Sequence, residues 1–283
     1  MIPSHTLIRP SADALPLLLD SPHSGTGYPD DFRPAAPMSV LRRGEDMYVD
    51  DLYAEAPRHG ATLLLAGFPR VYLDANRPAD DIDPELLADP YPEPINPGPK
   101  TRIGKGLVWR MAAPGVPIYD RLLPAAEVKA RIDRYWRPYH GALRAELDAL
   151  HARWGAVWHI DCHSMPAVSD DLSEEGPGQP RADFVLGDRD GTTCEPGFTQ
   201  AVAAALRGLG YDVRLNDPYK GVELVRAYGD PAAGRHSLQV EINRRLYMDE
   251  ASFARAPGYG QLKTDLGRMV AAVADYVRGR VAR

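Results

Sequence analysis

Short apolar runs, each closed by polar or turn-forming residues, alternate along this chain with stretches of helical period, and that alternation constrains the fold more than any other feature. Strand-like runs lie at residues 15–19, closed by Asp20-Ser21-Pro22, at 61–65 and 71–73, separated by Gly67 and Pro69, and at 156–160, 183–186, 211–215 and 237–242. Helical stretches lie at 45–59, closed by Gly60, at 195–206 and at 251–281. A further helix begins at Pro124, with Val128, Ile132, Tyr135, Tyr139, Leu143, Leu147 and Leu150 at helical spacing until Gly155, and Pro138 should kink it. The expected fold is α/β, a mixed central sheet flanked by helices. There is no internal repeat, no low-complexity tract and no single linker, so residues 1–283 read as one domain.

Composition narrows the function. With 33 Lys and Arg against 39 Asp and Glu, the net charge of −6 has the wrong sign for phosphate-backbone binding, so no nucleic-acid partner is expected. No apolar run is long enough to span a bilayer and the N-terminus does not read as a signal peptide, so no membrane role and a cytoplasmic location are expected. Cys162 and Cys194 are too few for a disulfide framework and read as small buried side chains. The proline-rich stretch 78–117 has almost no apolar period, so regular structure is improbable over most of it.

In α/β folds ligands sit beyond the carboxyl ends of strands. The first apolar run exits into Asp20-Ser21-Pro22-His23-Ser24-Gly25, and the fourth contains His159-Ile160-Asp161-Cys162-His163-Ser164. Two imidazoles at strand exits suit a catalytic zinc, which takes three protein ligands and keeps one position open for water. Glu45 or Asp46 can supply the third ligand. Asp161 shares a strand face with His163 and can orient it or balance its charge. Glu241 interrupts an apolar strand pattern, which is costly unless the carboxylate is paired or functional. Near a zinc site it can serve as general base.

Arg70 and Arg77 flank the run 71–73, and paired guanidinium groups suggest an anionic substrate. Neither a G-x-S-x-G nucleophile elbow nor a phosphate loop occurs. Two rival readings remain: a non-catalytic zinc- or carboxylate-binding protein on the same scaffold, and a non-haem iron oxygenase whose two-histidine, one-carboxylate site His159, Asp161 and His236 could form. Such sites commonly sit in all-β barrels, against which the helical stretches argue.

Taken together, these segments resemble the N-formylglutamate amidohydrolase family, whose fold is similar to that of zinc carboxypeptidases and aspartoacylase. The resemblance runs from Leu17-Leu18-Leu19-Asp20-Ser21-Pro22-His23-Ser24-Gly25 through Tyr72-Leu73-Asp74-Ala75-Asn76-Arg77, Tyr135-Trp136-Arg137-Pro138-Tyr139-His140, His159-Ile160-Asp161-Cys162-His163-Ser164 and Asn216-Asp217-Pro218-Tyr219-Lys220-Gly221 to Gln239-Val240-Glu241 and Tyr247-Met248-Asp249-Glu250. It implies zinc ligation by His23, Asp46 and His163, with Glu45 as the alternative acidic ligand. It further implies Glu241 as general base, Arg70 as the arginine that polarises the carbonyl, and Asn76 with Arg77 as the holders of a substrate carboxylate. Lys220 and Arg244 are additional carboxylate contacts. Lys100, Arg102 and Lys105 lie in a loop that either closes over a dicarboxylate or is a rigid surface excursion. The implied reaction is hydrolysis of a small anionic N-acyl amino acid, N-formyl-L-glutamate first, to formate and the amino acid.

Overall fold

The computed structural model of the chain describes residues 2–171, 173 and 176–281. Its strands are β1 (His5–Ile8), β2 (Leu17–Ser21), β3 (Thr62–Ala66), β4 (Met111–Ala113), β5 (Val116–Pro117), β6 (Val157–Met165), β7 (Phe184–Gly187), β8 (Val213–Leu215) and β9 (Arg235–Asn243). The α-helices are α1 (Met38–Leu41), α2 (Val49–Leu52), α3 (Pro99–Arg102), α4 (Ala125–Arg131), α5 (Arg137–Trp154), α6 (Pro196–Gly208), α7 (Glu223–Tyr228) and α8 (Tyr259–Val281).

The chain clusters into two compact units. One comprises the first residues to Thr6 with Pro22–Glu45 and Leu65–Ala142; the other comprises Leu7–Ser21, Asp46–Leu64 and the chain from Leu143 onward. The second is built on a seven-stranded sheet of order β1-β3-β2-β6-β9-β7-β8. The pairs β2–β6, β6–β9 and β7–β8 are parallel, whereas β7–β9 is antiparallel, so the sheet is mixed as the sequence implied. β6 lies at its centre and is buried at all nine positions. A strand covered on both faces is ordinarily apolar throughout. β6 instead places Trp158, Ile160 and Cys162 on one face and His159, Asp161 and His163 on the other, an alternation set by the two-residue period. That polar face is where chemistry can be built.

The first unit is largely irregular. Its chain from 78 to 117 contains only α3, β4, β5 and a short 3-10 turn, yet it is tied down by its own polar groups. Asp81 accepts from the Gly98 amide at 2.7 Å and from the Thr101 hydroxyl, and Arg110 pairs with Asp83 at 2.7 Å. The buried Arg131 guanidinium donates to the Tyr72 carbonyl at 3.1 Å and lies 4.1 Å from the Tyr72 ring.

Three expectations fail in instructive ways. The helix expected at 45–59 breaks because Tyr48 adopts a left-handed conformation (φ 66°), leaving α2 and a 3-10 turn at Ala56–His59 that contains Pro57. Tertiary contact holds Tyr48 there, since its hydroxyl donates to the Phe253 carbonyl at 2.9 Å and its ring packs edge-on against Tyr259. Residues 71–73 form a turn, with the Tyr72 and Leu73 amides both donating to the Pro69 carbonyl. The last helix starts at Tyr259, after Pro257 and Gly258, not at 251. The kink expected at Pro138 takes the form of a π-helical stretch at Ile132–Trp136 between α4 and α5, which absorbs the missing amide donor.

Candidate metal centre and its surroundings

Parallel pairing of β2 with β6 sets Asp20 beside Asp161, so both strands leave the sheet in the same direction. His23 follows two residues after β2 ends, and His163 lies near the end of β6. The segment carrying His23 is pressed onto backbone: a Cβ on Gly25 would stand 2.3 Å from the Phe68 carbonyl oxygen, so only glycine fits.

Ligand atoms of His23, Asp46 and His163 all lie within 4.8 Å of one another, and the three residues are buried. His23 Nε2 lies 2.7 Å from Asp74 Oδ1. His163 repeats the pattern, with Nδ1 at 3.0 Å from Asp46 Oδ2 and Nε2 at 2.7 Å from Asp161 Oδ1. Each imidazole thus rests Nε2 on a carboxylate, the outer-shell arrangement typical of metal-binding histidines. Two imidazoles and a carboxylate are also the donor types zinc takes. These residues therefore fit a divalent cation.

The other acidic candidate is engaged elsewhere. Glu45 accepts from the Tyr28 hydroxyl at 2.6 Å and from Arg42 at 3.5 Å. Asp46 is braced by Arg244, which donates to its Oδ1 at 3.1 Å and to Ser164 Oγ at 3.1 Å. Arg244, expected at a substrate carboxylate, thus has its guanidinium on an acidic member of the group.

Asp74 is the hub of a buried polar cluster within the first unit. Its Oδ1 receives His23 and the Asn76 amide (2.9 Å); its Oδ2 receives Arg70 Nη2 (3.0 Å), Arg70 Nε (3.3 Å) and Trp109 Nε1 (3.2 Å). Burial alone would raise this carboxyl, but Arg70, His23 and Arg77 outweigh it and hold it well below the usual carboxylate range. Arg70, expected to polarise a carbonyl, also lies 5.0 Å from the Trp109 ring. Arg77 is buried, with Nη1 on the Asn76 carbonyl (2.8 Å) and Nε on the Lys105 carbonyl (3.3 Å). Arg102 is exposed at the end of α3, and Lys220 sits in an exposed ion pair with Asp190 at 2.9 Å.

In the second unit burial would push His163 down, yet the carboxylates of Asp161, Asp46 and Glu241 hold it well above its ordinary value. Register places Glu241 directly beside His163. Glu241 accepts from Gln239 Nε2 at 2.9 Å.

The oxygenase grouping does not assemble. His159 and Asp161 share one face with Ser237, the register partner of His159, whereas His236 pairs with Trp158 on the opposite face. His236 stacks on Trp158 and accepts from the Glu195 amide at 3.1 Å. His159 is spent in a buried series, lying 2.9 Å from Asp20 Oδ1 and 2.7 Å from Ser237 Oγ. Two supporting residues carried sequence signals that went unused: Asp74 stands four residues after Arg70, and Gln239 stands two before Glu241 on one strand face.

By its relatives the chain is a hydrolase that cleaves an amide. The chain is a member of the N-formylglutamate amidohydrolase family, whose model matches residues 15–248. It is 32% identical over 240 residues to an N-formylglutamate deformylase of Pseudomonas putida, with 83% of each chain covered. It is also 32% identical over 251 residues to one of Pseudomonas aeruginosa, with 85% of each covered. Among solved structures it is similar to an N-formylglutamate amidohydrolase from Ralstonia eutropha JMP134, at 51% identity and a TM-score of 0.93, covering 98% of this chain and 99% of that one.

Proposed function

We propose that this chain is a zinc-dependent, single-domain enzyme that hydrolyses the amide of an N-acylated acidic amino acid, with N-formyl-L-glutamate as its substrate and formate and L-glutamate as its products. The observation that carries the reading is the buried group of His23, Asp46 and His163, whose ligand atoms lie within 4.8 Å of one another in a member of this family. A zinc ion held by these three residues supplies a Lewis acid and an acidified water.

The chain's own residues do the rest. Glu241, beside His163, takes the proton of the attacking water and returns it to the departing amine nitrogen. Arg77 and Asn76 bind a substrate carboxylate, which positions the formamide carbon for attack. Arg70, 18% exposed, can share a hydrogen bond with the carbonyl oxygen as charge builds on it. Arg244 keeps Asp46 in place. No helix among the described residues is long and apolar enough to cross a membrane, and the buried free thiols of Cys162 and Cys194 suit a reducing compartment, which supports action in the cytoplasm.

The test is formate release from N-formylglutamate beside N-formylaspartate and N-acetylglutamate, with and without a chelator, together with metal analysis. N-formylglutamate should be the preferred substrate, chelation should abolish turnover, and zinc should restore it. Glu241→Gln should lose turnover and keep its zinc. A chelator-resistant activity, or near-normal kcat in Glu241→Gln, overturns the reading.

A further inference from the structure

Where β2, β6 and β9 run parallel, one face of the sheet is a stack of polar rungs. Register sets Ser237 beside His159, then Gln239 beside Asp161 and Asp20, then Glu241 beside His163. The middle rung supports the upper one: Asp161 lies against His163 at 2.7 Å, and Gln239 Nε2 donates to Glu241 Oε1 at 2.9 Å.

Both ends of the Gln239 amide are committed. Its Oε1 accepts the Val222 backbone amide at 3.1 Å. A backbone N–H only donates, so the amide oxygen must face Val222 and the NH2 group must face Glu241. The residue is 2% exposed, which keeps bulk water from competing for these bonds. Val222 comes within reach because β7 places Gly187 beside Gln239. A Cβ on Gly187 would stand 2.6 Å from both Gly221 N and Lys220 C, so a bare backbone at this point lets the chain at 220–222 close over the strand. Gly221 itself takes φ +95°, a conformation side chains disfavour.

We propose that Gln239 is the positioning residue of the base: locked by Val222, it holds the plane and rotamer of the Glu241 carboxylate so that proton transfer needs no search by the side chain. This rests on Glu241 being the base. Removing the donor while keeping the volume therefore lowers the rate of the chemical step without weakening substrate binding.

Gln239→Met, Gly187→Ala and Glu241→Gln are compared in the zinc-loaded enzyme for kcat, KM, zinc content and melting temperature. In Q239M kcat should fall by up to about 100-fold at unchanged KM and zinc content. G187A, which displaces Val222 while keeping the glutamine, should shift kcat in the same direction, and it carries the test should Q239M fail to fold. Wild-type kcat in the folded variants, or a loss of kcat only in step with lost zinc or lost melting temperature, overturns the positioning role. Full activity in E241Q overturns the base assignment itself, a result distinct from an active Q239M beside an inactive E241Q.

Discussion

Asp74 Oδ1 lies 2.7 Å from His23 Nε2. The same carboxylate gathers Arg70, Trp109 and the Asn76 amide, so one buried acid orients an imidazole and the cationic segment of the first unit together.

Asp74→Asn should therefore weaken zinc binding roughly 10- to 100-fold, the usual cost of losing a carboxylate behind a ligating histidine. Competition with a zinc chelator measures it directly. Unchanged affinity would mean that His23 is oriented without Asp74.

If His23, Asp46 and His163 hold the ion, zinc must stabilise the folded chain by mass action. At a hundredfold excess over Kd the gain is about 2.7 kcal/mol, which for a chain of this size raises Tm by roughly 5 °C or more. Scanning calorimetry should show that rise in the wild type and lose it in His163→Ala. A Tm blind to zinc in the wild type counts against the ligand set.

The cations differ sharply in setting. Arg77 is 7% exposed, whereas the Lys220–Asp190 pair is about 60% exposed on both sides. Arg77→Ala should lower kcat/KM for N-formylglutamate roughly 10- to 100-fold, matching about 1.5–3 kcal/mol for hydrogen bonds to a charged group. Lys220→Ala should stay within about twofold, since exposed pairs contribute little. Equal losses in both variants would place the substrate carboxylate elsewhere.

His236 titrates against the fold. Burial lowers its pKa from the ordinary 6.5, outweighing the pull of Glu195, with Arg280 lowering it further, and the neutral ring accepts the Glu195 amide through Nδ1. The unfolded chain binds this proton first, so stability is full above the unfolded value and declines as pH falls from about 7 to 5. In His236→Asn, whose amide oxygen can replace Nδ1, chemical denaturation across that range should give a shallower decline. Parallel profiles in the two proteins would assign the slope to other groups.

Much of this molecule is readable before any coordinates. The strand exits at Asp20 and in the segment of His163 stand out because an apolar run that ends in imidazoles and carboxylates has no packing reason to do so. The long helix through Leu150 shows in its period; Pro138 signals a break in it, but not the π-helical form the chain takes at Ile132–Trp136. Residues 45–59 and 71–73 misled because short amphipathic stretches carry too little signal to outweigh remote partners: Phe253 and Tyr259 for Tyr48, Arg131 for Tyr72.

The amino-acid order by itself determined which chemical groups each strand carries and on which face, because side chains alternate along any extended backbone. Which faces meet was decided only by strand register and loop closure, long-range choices that leave no periodic trace. Register set Ser237, not His236, beside His159 and so removed the iron-type grouping. Tertiary packing also turned Asp46 toward His163 and its neighbour Glu45 toward Tyr28, and laid Arg244 on Asp46.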